Sequence, residues 1–379
     1  MDVKTKVAVS ERLESLDVLR GIDLFLLVFF QPVLGNIVRA LPPDNVCHVI
    51  WEKLFTHVDW EGLHLWDMIM PLFLFMAGVS IPFALAKYMR GEVPLQKLGV
   101  RIGKRVLLLF VFGAIVQGNL LDFDLNRLSL YSNTLQSIAS GYLFSVLIYM
   151  FAGIRGVSVA VIILPALYTF GMLAYGKGYG PDVNLAMVVD RAIMGRFAPG
   201  ASVNDFGVVQ FASWYQYTWI YSTLNFTTTV LTGLLTGWCL KSGWSALQKF
   251  YRLLLLACVS LLLAWIISFF EPVNKHLWTS SMTFLTSGIS IVLMACTYYL
   301  VDGLRWRFGL MWLKIYGMNS ILAYMLYNTL EISSLTHYWL HGLKQYTGNY
   351  YPVFTELAKV LIIFGILRYC YKRSIFLRA

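Results

Sequence analysis

Residues 57–82 read HVDWEGLHLWDMIMPLFLFMAGVSIP, a polar segment with two histidines that leads into a long apolar run beginning with a carboxylate. A charged side chain near the middle of a membrane helix costs roughly 2.5–3.5 kcal/mol on insertion scales, so Asp67 requires a partner or a function. His57 lies ten residues earlier and is a candidate partner. We expect the rest of the chain to form a membrane scaffold around this stretch.

The composition supports a membrane protein. Of the 379 residues, 58% are hydrophobic and only 13% are charged, too few to cover a soluble domain of this length. Apolar windows of about 20 residues recur along the chain and predict an all-α, polytopic protein with about ten transmembrane helices. These windows are approximately 17–38, 65–88, 104–120, 132–152, 156–175, 221–240, 251–270, 279–301, 312–331 and 353–371. Residues 183–194 are an additional interfacial or re-entrant candidate, and without internal repeats residues 1–379 are predicted to form one domain.

The basic residues predict an orientation. With a cytoplasmic amino terminus, 21 of the 30 Lys and Arg residues fall on the inner side and 8 on the outer side. Short basic loops stay in the cytoplasm, so both termini are predicted to be cytoplasmic. The formal charge of +10 is then mostly a signal of topology, and no nucleic-acid partner is expected. All six histidines fall on or near the outer face.

Five separated segments carry a family resemblance. They are RLESLDVLRGID at 12–23, the stretch at 57–82, RIGKRVLLLFVFG at 101–113 with NTLQSIA at 133–139, PVNKHLWTSSMTFLTSG at 272–288, and GMNSILAY at 317–324. Together they resemble the heparan-α-glucosaminide N-acetyltransferase family, in a bacterial form without the large N-terminal luminal domain. The resemblance implies a multi-pass enzyme, in the bacterial inner membrane, that uses cytosolic acetyl-CoA as co-substrate. It would acetylate the amine of glucosamine, or of a glucosamine-terminated glycan, at a site open to the periplasm. The resemblance also suggests a homodimer.

His57 stands at the position of the active-site histidine of that family. An amine must lose a proton as the amide forms, and histidine titrates in the range needed to accept it. Alternatively, the imidazole accepts the acetyl group itself and passes it on. Asp67 can orient or charge-stabilise His57, hydrogen-bond the sugar, or serve as a structural carboxylate paired with another helix. At the position of an assisting asparagine in the family, this chain has Gln31, with Asn36 as the fallback.

Two groups of residues are candidate substrate contacts. Indoles and polar groups suit a sugar ring, although Trp and Lys also anchor membrane interfaces. Arg and Lys suit the phosphates of coenzyme A, and the polar groups of one helix could line the path of its pantetheine arm, although each basic residue can equally be a topology signal. The sugar candidates are Trp60, Asn274, Lys275 and Trp278; the coenzyme A candidates are Arg20, Arg101, Lys104, Arg105, Asn319, Ser320 and Tyr324.

Other interpretations are open. His337 and His341 have the spacing of metal ligands on one helical face, but no third ligand follows, so we expect no metal. A secondary transporter of amino sugars is the rival from another class, although its inverted repeats are not found. An acyltransferase that acts on a cell-envelope polysaccharide is a further alternative.

Overall fold

The computed structural model describes residues 13–204 and 206–377 of the protein, and this part is mostly helical. The α-helices, in chain order, are α1 (Glu14–Phe25), α2 (Gln31–Ala40), α3 (Val46–Phe55), α4 (Ile69–Ala84), α5 (Ala86–Met89), α6 (Leu95–Val116), α7 (Thr134–Tyr175), α8 (Leu185–Met194), α9 (Thr223–Lys241), α10 (Ala246–Ile267), α11 (Ser280–Tyr298), α12 (Met311–Met318), α13 (Ser320–Thr329), α14 (Ile332–Leu340), α15 (Lys344–Thr347) and α16 (Tyr351–Lys372). Residues 1–12 and 378–379 lie outside the described residues. They include both predicted cytoplasmic termini, the first residue of the RLESLDVLRGID segment, and Lys4, Lys6 and Arg378 of the predicted charge asymmetry.

Five segments are long and apolar enough to cross a membrane. They are Glu14–Ala40, Leu65–Met89, Thr134–Tyr175, Ala246–Ile267 and Ser280–Gly303. Short π-helical and 3₁₀ turns belong to them: Leu26–Phe30 joins α1 to α2, and Leu65–Met68 precedes α4. The all-α fold class is therefore confirmed in its main part, together with five helical segments suited to crossing a membrane, whereas the total of ten spans and the orientation stay predictions.

Helix α7 is 42 residues long, about twice the length that crosses a hydrocarbon layer. Gly153 interrupts it with φ +61°, at the border between two predicted windows. Both halves of α7 contact the start of α9. In the first half, Gly141 packs on Phe226; in the second half, the carbonyl oxygen of Tyr168 accepts a 3.0 Å hydrogen bond from the Tyr221 hydroxyl. The two halves therefore run antiparallel, as the prediction of two separate helices requires.

Close glycine contacts fix α4 against α9. A Cβ on Gly78 would overlap the carbonyl oxygen of Val230, and a Cβ on Gly233 would overlap that of Phe75. Small residues that let backbones touch are the usual basis of helix packing in membranes. Gly78 and Gly233 therefore allow the two backbones to touch, and α4 is held against α9.

The structure differs from the sequence prediction in two places. The segment between α8 and α9 contains a short antiparallel hairpin, β1 (Ala201–Val203) paired with β2 (Val209–Phe211). The predicted window 312–331 is broken at Asn319, where φ −124° and ψ 40° end α12. The side chain of Asn319 bonds the backbone of the C-terminal tail, which favours the break over a continuous helix.

Candidate functional site

The first site is built around Asp67, in the 3₁₀ turn before α4. Its Oδ1 lies 2.7 Å from His57 Nδ1 and 3.0 Å from Lys275 Nζ. The Nζ of Lys275 is also 2.9 Å from His57 Nδ1, so two nitrogens converge on one carboxylate oxygen. Asp67 is completely buried and Lys275 is 6% exposed. Since a buried carboxylate needs a counter-charge, Lys275 explains how Asp67 is tolerated at this depth.

The backbone before α4 holds the carboxylate in place. Oδ2 of Asp67 accepts hydrogen bonds from the N–H groups of His64 at 3.0 Å and Val58 at 3.3 Å. These two bonds close the loop between α3 and α4 around Asp67. His57 lies at the start of that loop, so its ring is brought against the carboxylate.

Nδ1 of His57 faces two groups of opposite character. Oδ1 of Asp67 only accepts hydrogen bonds, and the ammonium of Lys275 only donates them. Nε2 lies on the other side of the ring, and no described residue forms a hydrogen bond to it. The side chain of His57 is 47% exposed, in contrast to both of its partners. A group that arrives from solution can therefore reach Nε2, either to give up a proton or to be attacked.

Aromatic rings surround this centre. The ring of His276 stacks on that of Tyr217, with 4.2 Å between the ring centres. The ring of Trp60 also lies next to His276, at 5.3 Å between centres. Burial, followed by the positive charge of Lys275, lowers the pKa of His276 to about 4. Burial and the charge of Asp67 raise the pKa of Tyr217 to about 12. At neutral pH, His276 is thus uncharged and Tyr217 keeps its hydroxyl proton.

Lys275 is the buried cation of the site. Burial lowers the pKa of its ammonium, and the charge of Asp67 opposes that shift. Lys275 and Asp67 thus form a buried ion pair, not a surface salt bridge. Lys275 belongs to the loop between α10 and α11, far from Asp67 in the chain.

Two predicted sugar contacts are corrected by the structure. Asn274 is 0% and Trp278 is 2% exposed, so neither offers a surface to a sugar. Oδ1 of Asn274 accepts from the N–H of Leu277, and the indole N–H of Trp278 donates to Thr229 Oγ1 at 3.3 Å. The physical reason is that these residues fold the loop between α10 and α11 into the core. They position Lys275, which itself pairs with Asp67 instead of facing a sugar.

Trp60 is the predicted sugar contact that stays accessible. It is half-buried, and its indole N–H donates to the carbonyl oxygen of Tyr179 at 3.2 Å, which fixes the ring beside His276. Gln31 is not joined to this centre, because its side chain forms no hydrogen bond with the described residues. The fallback Asn36 is bonded within its own helix, to Pro32 and Arg39.

The second site is a cavity of about 440 Å³ that extends along α4 from Ala84 to Phe73. It brings together five of the predicted coenzyme A contacts, which are Arg20, Arg101, Arg105, Ser320 and Tyr324. The guanidinium of Arg105 lies 4.1 Å above the Tyr142 ring, and its Nε is buried without a hydrogen-bond partner among the described residues. Such a donor is available to an anionic ligand.

Lys104 and Asn319 do not line this cavity. Lys104 is exposed on another face of α6. Asn319 is 1% exposed, and its carboxamide donates to the Ile375 carbonyl oxygen at 2.9 Å and accepts from the Leu377 N–H at 3.0 Å. These bonds hold the C-terminal tail so that Phe376 and Leu377 form part of the cavity wall. Asn319 therefore shapes the cavity from behind, contrary to its predicted place in the lining.

Helix α4 connects the two sites. Its residues line the cavity from Ala84 to Phe73, a length of about 16 Å at 1.5 Å per residue. Phe73 lies six residues after Asp67, or about 9 Å along the same helix. The cavity is thus directed along α4 towards the His57 centre.

Sequence reasoning missed several residues of both sites. Tyr217 and His276 form the stacked pair, and Ser80 and Thr134 contribute hydroxyls to the cavity. The signals were present for two of them, since His276 follows Lys275 and Tyr217 belongs to an aromatic run before α9. The two hydroxyls carried no signal, because isolated Ser and Thr residues are common in membrane helices.

Among the described residues, no group of three His, Cys, Asp or Glu side chains has the geometry of a metal site. No family model matches the chain, and no curated protein matches it at a significant level.

Proposed function

We propose that the protein transfers an acetyl group from acetyl-CoA, on the cytosolic side of a bacterial inner membrane, to the amine of an amino sugar on the periplasmic side. The observation that carries this proposal is the alignment of two sites on one helix. An arginine-lined cavity extends along α4, and the far end of that helical segment bears Asp67, paired with His57.

The cavity suits the donor. Arg101 and Arg105 can bind phosphates of coenzyme A, and Arg105 brings a buried N–H that no described residue accepts. The rest of the wall is a mixture of apolar side chains and hydroxyls, among them Ser80 and Thr134. An extended pantetheine arm, which has both apolar and amide portions, fits such a wall. Its thioester would then point along α4 towards Asp67.

The His57 centre suits the acceptor. In direct transfer, the amine nitrogen forms a bond to the acetyl carbon, the carbon–sulfur bond breaks, and Nε2 of His57 takes the proton that the amine loses. The thiolate then takes up a proton and leaves as coenzyme A. In a relay, Nε2 itself forms the bond to the acetyl carbon, the carbon–sulfur bond breaks, and the thiolate takes up a proton and leaves as coenzyme A. The amine then forms its bond to the acetyl carbon, the Nε2–carbon bond breaks, and the proton that the amine loses passes to the released imidazole. Asp67 orients the ring and stabilises the positive charge that His57 acquires in either route.

The rings beside His57 favour a sugar. The half-buried faces of Trp60 and Tyr217 can pack against a pyranose, and the Tyr217 hydroxyl can donate a hydrogen bond to a sugar hydroxyl. The five sequence segments that resemble the glucosaminide N-acetyltransferase family favour glucosamine or a glucosamine-terminated glycan. The same resemblance supports ten spans and a homodimer as parts of this proposal.

The experiment is acetyl transfer in liposomes that hold the purified protein, with labelled acetyl-CoA on one side and glucosamine on the other. We expect N-acetylglucosamine to form with the wild type, and His57→Ala to reduce the rate by about 10²–10⁴-fold, the range for loss of a general base. His48→Ala is the matched control, because His48 lies in α3 and its ring bonds the Leu41 carbonyl oxygen at 3.4 Å instead of a residue of the Asp67 site. Uptake of amino sugar without consumption of acetyl-CoA would support a transporter and overturn the proposal.

A second measurement separates the two routes. Rapid quenching with labelled acetyl-CoA and no acceptor traps an acetylated His57 if the relay operates. Absence of label on the protein, with full transfer once the amine is added, assigns direct transfer.

A further inference from the structure

We infer that Glu271 is a positioning residue of the amino sugar site, and that it holds the ring of Trp60 beside His276 through Tyr179. This inference rests on the proposed function, since it names a residue on which binding at the same sugar site depends. Glu271 lies in the loop between α10 and α11, four residues before Lys275.

Glu271 is a buried acid without a counter-charge. It is 2% exposed, and within residues 13–204 and 206–377 no Lys or Arg forms an ion pair with it. By contrast, Asp67 is neutralised by Lys275. Burial raises the pKa of Glu271, and the hydrogen bonds that it accepts oppose that shift. These bonds therefore offset the cost of burying the carboxyl group, and their donors are the groups that Glu271 holds in place.

Three donors satisfy the carboxyl group. Its Oε1 accepts from the N–H of Ser281 at 2.8 Å, and its Oε2 accepts from the hydroxyls of Tyr179 at 3.2 Å and Thr169 at 3.3 Å. Burial and the negative charge of Glu271 raise the pKa of Tyr179, so its hydroxyl keeps the proton that it donates. Glu271 thereby joins the start of α11, the second half of α7 and the loop after α7.

Tyr179 connects Glu271 to Trp60. The carbonyl oxygen of Tyr179 accepts a hydrogen bond from the indole N–H of Trp60 at 3.2 Å, while the Tyr179 hydroxyl donates to Glu271. Tyr179 is thus fixed at both ends, and it packs in the hydrophobic cluster that also contains Trp60. Without the bond to Glu271, Tyr179 and its carbonyl oxygen can shift, and the indole then loses its fixed acceptor.

The direction of the Trp60 ring depends on this connection. The backbone near Trp60 is bonded separately to the loop between α10 and α11, because the N–H of Gly62 donates to the Val273 carbonyl oxygen at 2.8 Å. That bond fixes the main chain, whereas the bond to Tyr179 fixes the indole. The same loop carries His276, whose ring centre lies 5.3 Å from that of Trp60. Glu271 therefore fixes the position of the indole relative to His276.

Glu271 does not touch the reacting groups. In the part of the chain that the structure describes, it forms no hydrogen bond with His57, Asp67 or Lys275. Its loss should therefore weaken the binding of the sugar and leave transfer to a bound sugar intact. A residue needed only for the stability of the whole protein would affect both.

The experiment measures the binding of glucosamine to the purified protein in detergent by calorimetry, without acetyl-CoA, so that the result does not depend on acetyl transfer. We expect Glu271→Gln and Tyr179→Phe each to raise the Kd of glucosamine about tenfold, the effect of losing one hydrogen bond of this kind. Thr169→Val is the matched control. It removes the other hydroxyl on the same carboxyl oxygen, which does not bond Trp60, so its Kd should equal that of the wild type.

A double-variant cycle tests whether Glu271 acts through Trp60. Trp60→Ala alone should raise the Kd of glucosamine by about tenfold or more, because the sugar loses an aromatic face. Glu271→Gln added to Trp60→Ala should cause no further change, since the ring that Glu271 positions is then absent. Two independent losses of structure would instead multiply. If Glu271→Gln does not fold, Tyr179→Phe takes its place in the cycle.

A wild-type Kd for both Glu271→Gln and Tyr179→Phe overturns the inference, as do equal changes for Tyr179→Phe and Thr169→Val, or independent effects in the Trp60→Ala background. If the variants bind glucosamine as expected but no acetyl group is transferred, the proposed function fails and the role of Glu271 stands. If transfer occurs and the variants leave the Kd unchanged, the proposed function stands and the inference fails. If the wild type binds no glucosamine, both fail.

Discussion

Lys275 Nζ and Asp67 Oδ1 lie 3.0 Å apart inside the protein, although 208 residues separate them in the chain. This pair joins the loop between α10 and α11 to the start of α4. His57 shares the same carboxylate oxygen, so the ion pair and the histidine form one unit. Three of the predictions below concern this unit or its neighbour His276, one concerns the arginine-lined cavity, and one concerns the contact that holds α4 in place.

Removal of one member of the ion pair should destabilise the protein strongly. Lys275→Met leaves Asp67 buried without its counter-charge, a change that typically costs about 3–5 kcal/mol. We expect the double variant Asp67→Leu with Lys275→Met to lose less free energy of unfolding than the two single variants lose together, because no charge is then buried without a partner. Denaturation in detergent micelles measures both, with exposed Lys53→Met as the control. Additive losses would show that the two charges do not interact.

Asp67→Asn should reduce turnover more than it reduces donor binding. An amide no longer compensates the positive charge that His57 gains in transfer, so we expect kcat to fall by about 10²–10⁴-fold. The Kd of coenzyme A should stay at the wild-type value, because the arginine-lined cavity does not include Asp67. Asp59→Asn, at an exposed position two residues after His57, is the control and should keep full activity. A parallel loss of coenzyme A binding would point to a collapsed structure instead.

The arginines of the cavity should select the nucleotide part of the donor. Arg101→Gln and Arg105→Gln each remove a charged partner for phosphate, worth about 1.5–3 kcal/mol, so the Kd of coenzyme A should rise by about 10–100-fold. Binding of acetyl-pantetheine, which lacks the nucleotide, should not change. Lys104→Gln is the control, because Lys104 lies on the same helix but outside the cavity. It tests whether the loss of any positive charge on α6 raises the Kd of coenzyme A. If it matches the arginine variants, the phosphate assignment fails.

The pH dependence of stability should contain a contribution from His276. Its pKa is lowered to about 4 in the folded protein, whereas the ordinary value is 6.5. The unfolded chain therefore takes up the proton first as the pH falls, and stability declines between about pH 6.5 and pH 4, by at most about 3 kcal/mol. His276→Phe keeps a ring against Tyr217 and should remove this part of the decline. Melting curves of the wild type and of His276→Phe between pH 6.5 and pH 4 give the stability difference between the two proteins at each pH. If that difference does not vary with pH, His276 is not the source of the decline.

The contact between α4 and α9 should tolerate no side chain at Gly78. Gly78→Ala places a Cβ against the carbonyl oxygen of Val230, so the helices must separate and the protein should lose several kcal/mol of stability. Gly99→Ala is the matched control, because a Cβ there meets no atom within 4 Å. It should be neutral or slightly stabilising, since alanine favours a helix over glycine. Equal melting temperatures for the two variants would show that this contact can relax.

Much of the architecture followed from local properties of the sequence. Apolar length and hydropathy predict the helices and their apolar faces. They also predict the division of residues 134–175 into two halves, which meet at Gly153. The pairing of His57 with Asp67 was also a prediction, because a carboxylate in an apolar segment needs a partner and His57 is close to it in the sequence. The cavity contacts were predicted from charge and motif, and the structure gathers five of the seven.

The errors concern residues whose surroundings come from distant parts of the chain. Trp278 and Asn274 had the composition of a sugar site, but the loop that carries them folds inward, and the indole finds Thr229 on α9. Asn319 lies in a segment that was predicted to contact coenzyme A, yet its carboxamide donates a hydrogen bond to the Ile375 carbonyl oxygen in the C-terminal tail.

The sequence by itself determined that this is a helical membrane protein, and it identified a histidine and a carboxylate that belong together, because apolar length and local spacing are properties of short segments. Only the tertiary structure decided that Lys275 neutralises Asp67, that Nε2 of His57 has no hydrogen-bond partner among the described residues, and that the arginines face a cavity directed along α4. The physical reason is that charge compensation and cavities arise between segments far apart in the chain, where no periodicity or spacing records which side chains will meet.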